Sequence, residues 1–171
     1  YLHMNLLNFF IDKLFRENKA YAHCDIPCGI YDPHQAQVAA HTIIRMNQLI
    51  QEVSVSGPEP PFEERKKIIS EVSRLTRVKE EHGQLVEEEL GTLQNDYFKP
   101  EHFKTHQNLK ELLEKAVKLS INVRQNIDME AAKELLETVL QISEIFYKSK
   151  NVTPVRAKSV YPTELDIVTY K

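Results

Sequence analysis

The sequence predicts an all-α fold, an antiparallel four-helix bundle, and three observations carry that expectation. Four stretches repeat apolar residues with a helical period, each over several turns. The connections between them are short and contain the breakers Pro and Gly. Composition agrees: four Gly among 171 residues, 42% hydrophobic and 27% charged, suit helices better than a Gly-rich β fold. This length suits one domain with a real core.

Residues 1–22 stand apart as a leader. Leu6, Leu7, Phe10 and Leu14 favour a short amphipathic helix, interrupted by Asp12, Lys13, Arg16, Glu17 and Lys19. The segment ends Ala20-Tyr21-Ala22, with small residues at −3 and −1 relative to His23, which suits a processing peptidase. The alternative is a folded first helix that packs on the rest.

Asp32 suits an N-cap and Pro33 the first helical position. Val38, Ala39, Ile43, Met46, Ile50 and Val53 then line one side of a first helix to about residue 54. The run Ser56-Gly57-Pro58-Glu59-Pro60-Pro61 breaks it. A longer second helix carries Ile68, Ile69, Val72, Leu75, Leu85, Val86 and Leu93, and stops near Asn95 because Pro100 disfavours helical geometry at Lys99. Leu109, Leu112, Leu113, Ala116 and Val123 mark a third helix. Asp128 caps a fourth, with Leu135, Val139, Ile142 and Phe146 facing inward. Residues 151–171 read as an extended tail, through Pro154 and Pro162, able to cross to a neighbouring subunit.

Charge and cysteine count exclude whole classes. Lys plus Arg is 22 against 25 Asp plus Glu, a net charge of −3, so no broad basic face binds nucleic acid. No apolar run approaches the ~18 residues of a membrane-spanning helix. Two cysteines cannot build a disulfide scaffold.

Both cysteines lie in His23-Cys24-Asp25-Ile26-Pro27-Cys28-Gly29-Ile30-Tyr31. The loop can bring two thiolates and an imidazole onto one late first-row metal. A Cys24–Cys28 disulfide would close only a small ring and stabilise little. Structural zinc normally takes four side-chain ligands, and only three are local. Cleavage after Ala22 frees the α-amine of His23, whose ordinary pKa is about 8. With that amine, the Cys24 amide nitrogen and the sulfurs of Cys24 and Cys28, the loop offers a planar set of two nitrogens and two sulfurs. Such a set favours nickel(II) or copper(II). In the uncut chain the His23 nitrogen is an amide and a poor ligand, so proteolysis acts as the switch.

HCDIPCGIYDP resembles the hook motif of the nickel superoxide dismutases, His-Cys-x-x-Pro-Cys-Gly-x-Tyr. A second segment, Asp96-Tyr97-Phe98-Lys99-Pro100-Glu101-His102-Phe103, is similar to that family's DYFKPxHF. The resemblance spans roughly residues 23–150 and implies a bundle carrying an N-terminal metal-binding hook, with residues 1–22 as a propeptide. It implies dismutation of superoxide anion to dioxygen and hydrogen peroxide by Ni(II)/Ni(III) cycling, one nickel per subunit, and a homo-oligomer, a hexamer.

His23, Cys24 and Cys28 are the implied metal ligands, the imidazole of His23 binding axially. Tyr31 and Tyr97 are implied to stand before the open axial face, limiting access and ordering water. Pro27 and Gly29 shape the loop, and Asp25 braces it. Removing the leader makes the chain one charge more negative, so steering of an anion has to be local, with Lys99 the leading candidate. Some family members hold the axial imidazole with a Glu–Arg pair; the matching positions are Ala39 and His82, and His82 is the candidate replacement. The rival reading is a non-catalytic helical module that uses Cys24 and Cys28 for redox sensing or metal storage. Cytoplasm is the default compartment, because the thiolates have to survive until the metal arrives.

Overall fold

The first helix starts where Asp32 and Pro33 lead the sequence to expect it, one residue later. The computed structural model describes residues 28–171. In it α1 runs His34–Glu52, and the Asp32 carboxylate accepts the His34 backbone N–H at 2.7 Å. Next come α2 (Phe62–Thr92), a π-helical turn (Leu93–Tyr97), the short α3 (Pro100–Thr105), α4 (Leu109–Gln125) and α5 (Met129–Ser149). Asp128 caps α5 as expected, its side chain accepting the Ala131 N–H at 2.9 Å. The short α3 was not legible in the apolar pattern; Pro100 starts it, and the His102 ring accepts the Lys99 N–H at 2.9 Å.

The four long helices close a ring in which α1 packs on α2, α2 on α4, α4 on α5 and α5 on α1. Ile43, Val86, Leu113, Leu135, Val139 and Ile142 are buried at its centre. Such side chains stabilise the fold by about 1.5–3 kcal/mol each. Lys79, fully buried on α2, donates to the carbonyl oxygens of Val123, Arg124 and Asn126. It thereby satisfies the end of α4, which has no intrahelical donors left for these groups. Burial holds its ammonium below the ordinary lysine pKa. Among the described residues no helix is long and apolar enough to cross a membrane.

Residues 151–171 correct one expectation. Rather than running on as an extended tail, they fold back as a hairpin of β1 (Pro154–Lys158) and β2 (Asp166–Tyr170), antiparallel, with Arg156 opposite Val168. The reason is visible on α1, whose buried face is wider than the apolar pattern implies. Gln37, His41 and Asn47 are all buried. The Gln37 amide donates to the Val168 carbonyl at 3.1 Å and accepts the Val168 N–H at 2.7 Å. The His41 ring nitrogens lie 2.7 Å from the Thr163 hydroxyl and 3.1 Å from the Asp166 carbonyl oxygen. Burying such polar groups costs free energy unless they find partners. The hairpin supplies them for Gln37 and His41, whereas the Asn47 amide donates to the Asp128 carbonyl at 3.2 Å.

Candidate metal centre

Gly29 sets the exit of the hook loop. Its φ of +71° lies in the left-handed region that side chains with a Cβ adopt at a cost of about 1–2 kcal/mol. That turn leaves Cys28 exposed and aims the Ile30 backbone N–H at its sulfur, 3.5 Å away. An N–H directed at sulfur suits an anionic thiolate.

Two residues further on, half-buried Tyr31 packs against Tyr97, ring centroids 5.5 Å apart and tilted by 49°. They come from the two separate sequence motifs. Tyr31 enters with the loop before α1, and Tyr97 ends the π-helical turn after α2. A π turn inserts an extra residue into the helical ladder and re-aims the chain beyond it, a feature common at functional sites. The Tyr97 hydroxyl lies 2.7 Å from the Ser149 hydroxyl, which itself donates to the Phe146 carbonyl at 2.6 Å. Its ring is pressed between Phe146 at 4.7 Å and a stacked His102 at 5.6 Å. Tyr97 is therefore fixed from three elements.

Lysines surround this cluster in two different ways. Lys99 is exposed, and its ammonium donates to the Asp96 carbonyl at 2.8 Å, closing the π turn. Lys150 places its ammonium 4.7 Å above the Tyr97 ring and 5.6 Å from that of Phe146. Sequence reading missed Phe146, Ser149 and Lys150 as site residues. Their i, i+3, i+4 spacing at the end of α5, which puts them on one face, was the signal available.

Other candidates lie elsewhere. His82 is half-buried with Nδ1 2.8 Å from the Val78 carbonyl oxygen of its own helix. Ala39 is buried in the core. Ala22, His23, Cys24, Asp25 and Pro27 lie outside the described residues, so the cleavage junction, the loop brace and the Pro27 isomer do too. Among the described residues no cluster of three His, Cys, Asp or Glu side chains is placed to hold a metal. The donor set fits nickel: soft thiolates with nitrogen donors suit this late first-row ion, and Cys28 is exposed beside the left-handed Gly29.

The described residues define a helical bundle with an exposed cysteine at the entrance to its first helix. The family described as nickel-containing superoxide dismutase matches residues 18–150. The superoxide dismutase [Ni] of Streptomyces seoulensis is 33% identical over 141 residues, covering 82% of this chain and 98% of that one. Its Streptomyces coelicolor counterpart is 31% identical over 129 residues, 75% of this chain and 88% of the other. The native nickel superoxide dismutase structure superposes with a TM-score of 0.63 at 28% identity, covering 75% of this chain and 99% of that one. This chain belongs to the nickel-containing superoxide dismutase family, oxidoreductases that act on superoxide. The hairpin lies beyond the matched residues.

Proposed function

We propose that the chain dismutes superoxide at a nickel hook made by His23, Cys24 and Cys28, after cleavage between Ala22 and His23. The observation that carries this reading is the Tyr31–Tyr97 pair, packed just past Cys28 at the exit of the loop. Two superoxide anions and two protons become one dioxygen and one hydrogen peroxide. Nickel, when bound, supplies the one-electron couple that accepts an electron from one superoxide and returns it to the next.

The chain's own residues do the rest. The thiolates of Cys24 and Cys28 are anionic donors that make a higher oxidation state accessible, as ligand choice does at other redox centres. His23 adds its amine and its imidazole, the former only once the peptide bond to Ala22 is cut. Gly29 and Pro27 set the path of the loop, and Asp25 braces it. Thiolates beside peroxide are open to oxidation. Tyr31 and Tyr97 limit that exposure by narrowing the approach, Tyr97 being held by Ser149. Because the overall charge is negative, attraction of the anion falls to local cations, with Lys150 above the Tyr97 ring and Lys99 beside it in sequence. The enzyme works as a homo-oligomer, a hexamer as its family resemblance implies, and in the cytoplasm.

Blocking cleavage tests this directly. Ala22→Pro protein, purified with its leader and supplied with nickel, is expected to be folded by circular dichroism yet inactive toward superoxide. Normal turnover by the uncut variant would exclude the amine as a ligand.

A further inference from the structure

We propose that the C-terminal hairpin is a brace for the hook, and that Tyr147 and Tyr170 are the positioning residues through which it acts. The inference rests on the hook reading above. Strand β2 climbs α1 toward the loop in matched steps: Asp166 lies against His41, Val168 against Gln37, and Tyr170 at the level of the loop exit. Two strand residues rise about 6.7 Å and four helical residues about 6 Å, so one strand repeat follows one helical turn. The backbone N–H and C=O of Val168 turn away from β1, and the Gln37 side-chain amide pairs with both, as a neighbouring strand would.

The hairpin is also fixed to the far side of its own sheet. Arg156 forks onto Glu137 at 2.8 and 2.9 Å and reaches Glu144 at 2.5 Å, tying β1 to α5. It therefore spans α1 and α5 as a rigid strap. At the hook end the Tyr170 ring packs 5.1 Å from the Tyr147 ring. Buried Tyr147 then directs its hydroxyl to the Asp32 carboxylate at 3.5 Å. The other oxygen of that carboxylate caps α1 through His34. Asp32 adjoins Tyr31, so the hairpin ends on the residue that sets where the hook leaves the helix. Of the residues in this chain of contacts, Asp32 alone falls in a sequence motif. Val168 of β2 is itself buried in the bundle core, so the hairpin is anchored there while its Tyr170 end reaches the loop exit.

The test uses the full chain in four forms: Tyr147→Phe, Tyr170→Ala, Tyr170→Phe and, as a hairpin control, Val160→Ser at an exposed turn position. Amide hydrogen exchange over residues 28–36 of the nickel-free protein is the first readout, since it needs no metal. Removing one hydrogen bond or its packing support should speed exchange there by about two- to tenfold in Tyr147→Phe and Tyr170→Ala, while α2 and α4 keep their protection. Tyr170→Phe, which keeps the ring, and Val160→Ser should match the parent chain. In nickel-loaded protein the same two variants should release nickel to a chelator faster, with kcat lowered and KM little changed. Unchanged exchange over 28–36 in both variants, or faster exchange spread evenly over the whole bundle, would overturn the brace. Faster local exchange in these two variants, alongside a parent protein that binds no nickel, would keep the brace and overturn the hook reading instead.

Discussion

The bundle core and the hook exit are built by different physics. The core is redundant: Ile43, Val86, Leu135, Val139 and Ile142 each contribute through burial, and no single contact decides the fold. The hook exit has no such redundancy. It stands on one left-handed glycine, one aspartate cap and one tyrosine pair. Stability and activity are therefore separable in this molecule. Core changes should lower stability while the folded fraction keeps its turnover, and changes to the metal donors should lower activity alone.

The largest expected effect sharpens that contrast. Cys24→Ser or Cys28→Ser should abolish nickel-dependent dismutation while helicity and the melting temperature stay near those of the parent, checked by superoxide consumption and circular dichroism. Chelating nickel from the parent protein should do the same, because none of the buried core residues belongs to the donor set. At the other pole, Ile142→Ala is expected to cost about 2–5 kcal/mol of stability, measured by denaturant unfolding. The nickel-loaded fraction that remains folded should keep its turnover number. A smaller effect separates the gate from the core: Tyr97→Phe removes the hydroxyl beside Ser149, costing roughly 0.5–1.5 kcal/mol and lowering activity several-fold.

The smallest effect is pH-dependent and belongs to the hairpin. Burial holds the His41 pKa below its ordinary value of 6.5, despite the opposing pull of Asp166. The unfolded chain therefore binds this proton more readily than the folded one. His41 contributes stability that is fully present above about 6.5 and is lost as the pH falls below it toward the folded pKa. Thermal melts between about pH 7.5 and 5 should show the loss, and His41→Gln should flatten it.

How much of this was legible depends on where the partners sit. The four helices were legible because their signal is local, apolar residues every three or four positions. The start near Asp32 and the cap at Asp128 were legible for the same reason. The hairpin was not, because its partners lie far away in sequence: Gln37 and Val168 are 131 residues apart, and His41 and Thr163 are 122 apart. A buried Gln or His on a helix reads as noise until its partner is known. The π turn and α3 were hidden for a related reason, since Pro100 signals a stop but not the geometry on either side of it. The hook motif itself came from local residues and spacing. The resemblance implies a common role for Tyr31 and Tyr97, but their contact is visible only in the structure, and Lys150 had no motif to mark it.

The proposed centre requires a freed terminal nitrogen and two sulfur anions together. Intact-mass and metal analysis of the fraction that consumes superoxide puts that requirement to the test. The active chain should begin at His23 and carry one nickel per subunit. Full activity in a fraction that still carries residues 1–22, or that holds no nickel, would contradict it.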